Sequence, residues 1–140
     1  MRYRVFLDTN ILISGIFFEG NESKILDMTE IHLVTCEDVV DELRKVTIKK
    51  LKYLGERPLE IALSELERAL SDFEIIPRSK YIKKFKIADQ LINHKKDVPI
   101  LAAVLAVTPD YFLSGDSHFF TEKIKNVINV KSVKEFLSGI

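Results

Sequence analysis

Apolar and polar positions along this chain change period repeatedly, from short continuous runs to stretches with apolar residues three and four apart. Tyr3-Arg4-Val5-Phe6-Leu7 is a short run with β-branched and aromatic members, the mark of a strand buried on both faces of a parallel sheet. Residues 10–18 then repeat apolar side chains at helical spacing (Ile11, Leu12, Phe18), and Glu19-Gly20-Asn21 closes that segment. A second helix is expected over 23–30, a second strand over 31–35, and a longer helix from Glu37 with Val39, Val40, Leu43 and Val46 inward. That helix continues or restarts through Ile48, Leu51 and Leu54 to Gly55. Pro58 suits the first turn of a helix over 59–70, with Ile61, Leu63, Leu66 and Leu70 as its core face. A third strand over 73–77 stops at Pro77, and 79–93 reads as one amphipathic helix with Ile82, Phe85, Ala88 and Leu91 inward. Asp97-Val98-Pro99 opens a strongly apolar helix over 100–107, ended by Thr108-Pro109-Asp110. Strands over 111–114 and 127–130 and a last helix begun by Ser132 complete the series. Strands alternating with helices predict an α/β fold with a mostly parallel sheet joined by right-handed crossovers.

Length and composition narrow the class. The 140 residues fit a single domain over 1–140 with a proper core. At 46% hydrophobic and 30% charged the chain is globular rather than disordered. Its 21 basic and 21 acidic residues cancel, so any nucleic-acid site must arise from local clustering. Cys36 is the single cysteine, which excludes an internal disulfide and a cysteine-built zinc site. No apolar run has the length of a membrane span, and Asp8 interrupts the first one, so a cytoplasmic protein without membrane association is expected.

Four acids stand at the ends of apolar elements. Asp8 follows the first strand, Asp116 follows the fourth, Asp97 opens the apolar helix before it, and Glu42 lies about a turn into the helix after strand two. In a parallel sheet, strand carboxyl ends and helix amino ends share one edge, so the four side chains can converge there. Each Asp can instead be a helix cap, and Glu42 a solvated helix residue. Clustered carboxylates repel and hold protons at raised pKa unless a cation relieves them. A hard divalent cation such as Mg2+ takes oxygen ligands and retained waters, and supports phosphoryl chemistry without a protein nucleophile. No nucleophile elbow, Cys-His pair or phosphate-cradling glycine loop competes with that reading.

At these residues the chain resembles PIN domains. Phe6-Leu7-Asp8-Thr9-Asn10-Ile11-Leu12, Val40-Asp41-Glu42-Leu43, Asp97-Val98-Pro99-Ile100-Leu101-Ala102-Ala103 and Leu113-Ser114-Gly115-Asp116-Ser117-His118-Phe119 look like the family's successive motifs, in order and over nearly the whole chain. The resemblance implies a three-layer α/β/α sandwich with a mostly parallel sheet of about five strands. It also implies a Mg2+- or Mn2+-dependent endonuclease acting mostly on RNA, with Asp8, Glu42, Asp97 and Asp116 as metal-binding acids. Asn10 and Ser114 match the polar residues that orient those acids. Many relatives are the toxin half (VapC-like) of prokaryotic toxin–antitoxin pairs and are commonly homodimers. The departure is His118, where many PIN domains carry a further acid; some toxin relatives share Gly-Asp-x-His-Phe. His118 is left as either a contact to the scissile phosphate or a helix cap.

Two basic clusters are candidate RNA contacts: Arg44, Lys45, Lys49, Lys50 and Lys52, and Arg78 through Lys86. Lysine-rich faces are usually only solvated, so Arg44, Lys95 and Lys96, which neighbour the proposed acids, are the better phosphate contacts. The apolar faces over 59–70 and 82–91 are generous for one small domain and offer a dimer surface or a groove for an antitoxin segment. Two other readings compete with the nuclease. A receiver- or dehalogenase-type phosphoryl-transfer domain lacks its second Asp and its late lysine here, and a non-catalytic PIN-like module binding RNA or protein would not need all four acids.

Overall fold

The computed structural model describes residues 2–139. Five strands, β1 (Tyr3–Leu7), β2 (Ile31–Cys36), β3 (Glu74–Ile76), β4 (Tyr111–Leu113) and β5 (Val130–Lys131), form one sheet in the order β3-β2-β1-β4-β5. Every pairing is parallel. The helices are α1 (Thr9–Phe17), α2 (Asn21–Leu26), α3 (Glu37–Lys49), α4 (Leu59–Leu70), α5 (Phe85–Leu91), α6 (Val98–Val107), α7 (Glu122–Lys125) and α8 (Val133–Ser138). Helices α1 to α4 pack among themselves, as do α5 and α6, giving the α/β fold expected of the sequence. None of the described helices is long and apolar enough to cross a membrane.

The central strand β1 explains the architecture. Val5, Phe6 and Leu7 are all fully buried, as a strand covered by helices on both faces must be. After β1 the chain winds outward through β2 and β3, then crosses back to place β4 on the other side of β1. Strand order therefore reverses between β1 and β4, the place where open α/β sheets leave a crevice beyond the strand ends. Phe6 and Leu7 stand in register with Phe112 and Leu113, so both strands end level at that crevice. Phe112 meets Phe6 and Phe119 edge to face, at 5.7 and 5.0 Å between ring centres. Burying an aromatic side chain of this kind is worth about 2–3 kcal/mol, so Phe119 fastens the loop that leaves β4 to the core.

The strongly apolar α6 is buried nearly all round, from Val98 to Val104 with few breaks, and ends at Thr108 in the left-handed region (φ 48°). Cys36 is buried at the end of β2, and burial pushes its thiol up to about 11, so it behaves as the small hydrophobe expected of it.

Several elements differ from the sequence pattern. Residues 79–93 form two 3-10 turns (Arg78–Lys80, Ile82–Lys84) before α5 instead of one helix. The cause is Tyr81, which is fully buried between the turns; its hydroxyl donates to Asp38 and accepts from the Asp38 N–H at 3.1 Å. On α4 the buried positions are Ala62, Leu66 and Leu70, four apart, while Ile61 is exposed. The second helix spans Asn21–Leu26, because Ser23 hydrogen-bonds both backbone groups of Gly20 and fixes the start early. β5 begins only at Val130: Ile124 and Ile128 are buried in the turn before it, which leaves Val127 outside.

Candidate metal centre

Asp8 sits where β1 becomes α1 and uses its two carboxylate oxygens for different ends. Oδ1 accepts the Asn10 N–H at 3.0 Å and caps α1, while Oδ2 accepts the Ser114 hydroxyl at 2.5 Å across the switch point. Capping and site-building are thus combined in one side chain, which is 4% exposed. The Ser114 Oγ in turn accepts the Asp116 N–H at 3.0 Å. Asp116 caps the 3-10 turn Ser117–Phe119 by accepting the His118 N–H at 2.9 Å, so His118 lies inside a capped turn and is not itself the cap. The His118 Nδ1 is 3.1 Å from Asp116 Oδ1 and 3.1 Å from Asp97 Oδ2. Asp97 ends the 3-10 turn Lys95–Asp97 and leads into α6, its N–H donating to the His94 carbonyl at 3.0 Å. A continuous polar chain therefore runs Asp8, Ser114, Asp116, His118, Asp97.

Glu42 approaches from α3. It is exposed as a residue, yet its pKa is raised, first by partial burial of the carboxylate and then by the charge of Asp97, with Thr9, Lys96 and Lys45 opposing. Burial raises Asp97 too, with Asp116 adding and the His118 hydrogen bond opposing. Asp8 is pushed up to about 6, chiefly by burial; Ser114 and Asn10 oppose, and Asp116 and Glu42 add to the rise. Burial first, and neighbouring acids after it, keep these carboxylates from ionising, and a cation would offset both. The Thr9 hydroxyl oxygen is buried without a hydrogen-bond partner, near enough to Glu42 to favour its charge but not in bonding geometry. An orphaned hydroxyl beside acids that repel suits a hydrated hard cation, whose waters take up unused donors and acceptors. Among the described residues, Asp97, Asp116 and His118 bring one donor atom each within 4.8 Å of the others and fit a divalent ion, while Asp8 and Glu42 stand outside that group.

The other expected residues fall in different places. Asn10 is exposed and meets Asp8 through its backbone N–H. Arg44 turns away to Glu67 on α4 at 3.0 Å and lies 4.0 Å from Asp41, whereas Lys45 takes its place near Glu42. Lys96 also lies near Glu42, and the highly exposed Lys95 reaches Asp89 at 3.6 Å. Lys45, named in the sequence only as part of a basic cluster and passed over for Arg44, stands three residues after Glu42, a spacing that shares a helix face. Thr9, open from the sequence as a cap, adjoins Asp8, and the cap is Asp8. One neighbour was not singled out at all. His94 stacks its ring on His118, 3.3 Å between centres and 12° between planes, and no sequence signal marks that contact.

The PIN domain sequence profile matches residues 6–131, from within β1 to the end of β5. The chain belongs to the PIN domain family. Among solved structures it is similar to VapBC2 from Rickettsia felis, bound to a DNA fragment from their promoter: 18% identity over 92% of this chain and 98% of that chain, TM-score 0.66. It is also similar to VapBC-1 from nontypeable Haemophilus influenzae, at 16% identity, 94% and 98% coverage and TM-score 0.67. At these identities the likeness is one of fold. No curated protein matches the sequence. Asp8, Glu42, Asp97, Ser114, Asp116 and His118 all lie within the matched stretch.

The raised pKa of Asp8 gives this PIN domain a pH dependence of definite sign. With a folded value of about 6 against an ordinary 3.8, the native state holds the proton more tightly than the unfolded chain does. The stability this confers is fully present below the unfolded value and lost as pH rises through the folded one. Metal-free Asp8→Asn should therefore be more stable than wild type at about pH 8, by up to about 3 kcal/mol, and the gap should close near about pH 4. Urea denaturation in chelator at both pH values checks this; a variant less stable at the higher pH would contradict it.

Proposed function

We propose that this PIN domain is a Mg2+- or Mn2+-dependent endoribonuclease that hydrolyses RNA phosphodiester bonds, with Asp8, Glu42, Asp97 and Asp116 as its metal-holding acids. The observation that supports it best is the meeting of Asp97 and Asp116 at His118, with Asp8 and Glu42 near enough for their charges to be felt and ionisation opposed in Asp8, Glu42 and Asp97. A bound ion would activate a water and offset charge on the phosphoryl group. The protein's own part is positional. The Asn10 N–H and the Ser114 hydroxyl hold Asp8, and Ser114 relays that fixation to Asp116 through its N–H. No nucleophilic side chain is needed at the crevice. Lys45 and Lys96 beside Glu42, with Lys95 next to them, would neutralise the phosphates flanking the scissile bond.

Titration calorimetry with Mn2+ on wild type and Asp97→Asn, with cleavage of a structured RNA followed in parallel, tests the reading. Metal binding and cleavage in the wild type, both lost in the variant, are expected. Absence of metal binding by the wild type would defeat the nuclease and return the acids to capping roles, and binding with no cleavage of any RNA would favour a non-catalytic binding module. For the lysines, Lys45→Gln combined with Lys96→Gln should lower the slope of log affinity for RNA against log salt by about 1.4, some 0.7 per lost single-strand phosphate contact. An unchanged slope would remove them from the RNA path.

The same reading extends to assembly. We take this domain for the toxin of a toxin–antitoxin pair, a homodimer that also receives an antitoxin segment. Ile61 on α4, Ile82 in the turn before α5, and Ile87 on α5 are all exposed, between 46% and 54%, more apolar surface than a lone domain of this size needs. Sedimentation velocity should show a dimer; a strict monomer at high concentration would dispose of that part.

A further inference from the structure

The geometry points to His118 as a nitrogen ligand of the metal centre, one that makes the site favour Mn2+ over Mg2+; this rests on the reading of the crevice as a metal centre. The position is the one where the sequence departs from the acid common among PIN domains, and the imidazole there stands among the acids. Its Nδ1 lies 3.1 Å from an oxygen of Asp97 and 3.1 Å from an oxygen of Asp116. One donor atom from each of these three residues falls within 4.8 Å of the others. Neighbouring ligands of an octahedral ion with bonds of about 2.1 Å stand about 3 Å apart, which is the spacing Nδ1 keeps from both oxygens.

The ring is also held as a ligand must be. Its backbone N–H is tied to Asp116 Oδ1, the His94 ring covers one of its faces, and the next residue, Phe119, is anchored in the core. A histidine serving only to satisfy a turn needs neither a second carboxylate nor a stacked partner. The two roles open from the sequence were a cap and a phosphate contact. The cap is Asp116, and a contact to phosphate would fall to Nε2 with Nδ1 held by the two acids, a role in which no ring nitrogen bonds the ion. The rival is an imidazolium that bridges the carboxylates and takes the place of a cation.

An imidazole changes what the site selects. Mg2+ demands an octahedron of hard oxygen ligands and retains its waters, whereas the affinity of first-row ions for mixed nitrogen and oxygen donors is higher and rises along the series from Mn2+. An acid at this position would give an all-oxygen set that treats the two ions more evenly. His94 acts as a positioning residue through the stack and supplies no ligand atom to the cluster.

The full chain is titrated with Mn2+, free ion being read by electron paramagnetic resonance, and Mg2+ affinity is taken from displacement of Mn2+. Wild type should bind Mn2+ at least about tenfold more tightly than His118→Asp does relative to Mg2+. Pulsed resonance of the Mn2+-loaded wild type should show a directly bound imidazole nitrogen, shifted by isotopically labelled histidine, absent in His118→Asp and kept in His94→Phe. The labelled wild type gives this result even if a variant folds poorly. Mn2+ bound without nitrogen coupling would overturn the assignment of His118 and leave the carboxylate centre standing. Coupling lost in His94→Phe but kept in His118→Asp would overturn it in favour of His94. No Mn2+ bound by the wild type would overturn both this inference and the nuclease reading.

Discussion

The hydrogen bond from Ser114 to the buried carboxylate of Asp8 joins residues 106 apart in sequence and closes the crevice between β1 and β4. It depends on the parallel register that ends both strands at one level, with Leu7 opposite Leu113. A slip of one residue in that register would turn Asp8 from the crevice and send an apolar side chain there instead. The polar chain of the site hangs from this pair: Ser114 fixes the Asp116 backbone, Asp116 caps the turn that holds His118, and His118 reaches Asp97 at the start of α6. Phe119 and its aromatic neighbours supply the apolar ballast that keeps the loop after β4 from moving away.

The site is held in an electrostatically unfavourable state by a fold stable enough to bear it. Burial, with repulsion from neighbouring acids added, opposes ionisation of Asp8, Glu42 and Asp97. Raised pKa values in a crevice at the carboxyl edge of a parallel sheet make these acids candidates for a functional site. The unpartnered Thr9 hydroxyl belongs to the same picture, since a buried donor without an acceptor costs about 1–3 kcal/mol and native proteins seldom leave one without a reason.

Much of this was legible in the chain. Val5-Phe6-Leu7 and the apolar α6 carry such strong local signals that strand, helix and parallel sheet follow from them, and Asp8, Asp97 and Asp116 mark the element ends. The pattern failed where tertiary contacts overrode period. Tyr81 looks like part of a helical face, yet its hydroxyl seeks Asp38 on α3 and the helix breaks around it. Ile61 follows the apolar rhythm of α4, but the surface it meets is set by Ala62 and Leu66, and it stays outside. The stack of His94 on His118 joins two turns whose approach no local spacing announces, and Arg44 and Lys45 could be told apart only once Glu67 stood beside one of them.

The long span between Asp8 and Ser114 also bears on how such a protein is made. A polypeptide emerging from the ribosome holds Asp8, Glu42 and Asp97 long before it holds residues 111–116, and β1 has no β4 beside it until those residues appear. The central strand can pair with β2 early, but the crevice gains its second wall, its relay serine and its last acid only in the closing stage of synthesis. A chain interrupted earlier would carry three of the four acids and no crevice to gather them. That order of assembly leaves the crevice incomplete until residue 116 has left the ribosome.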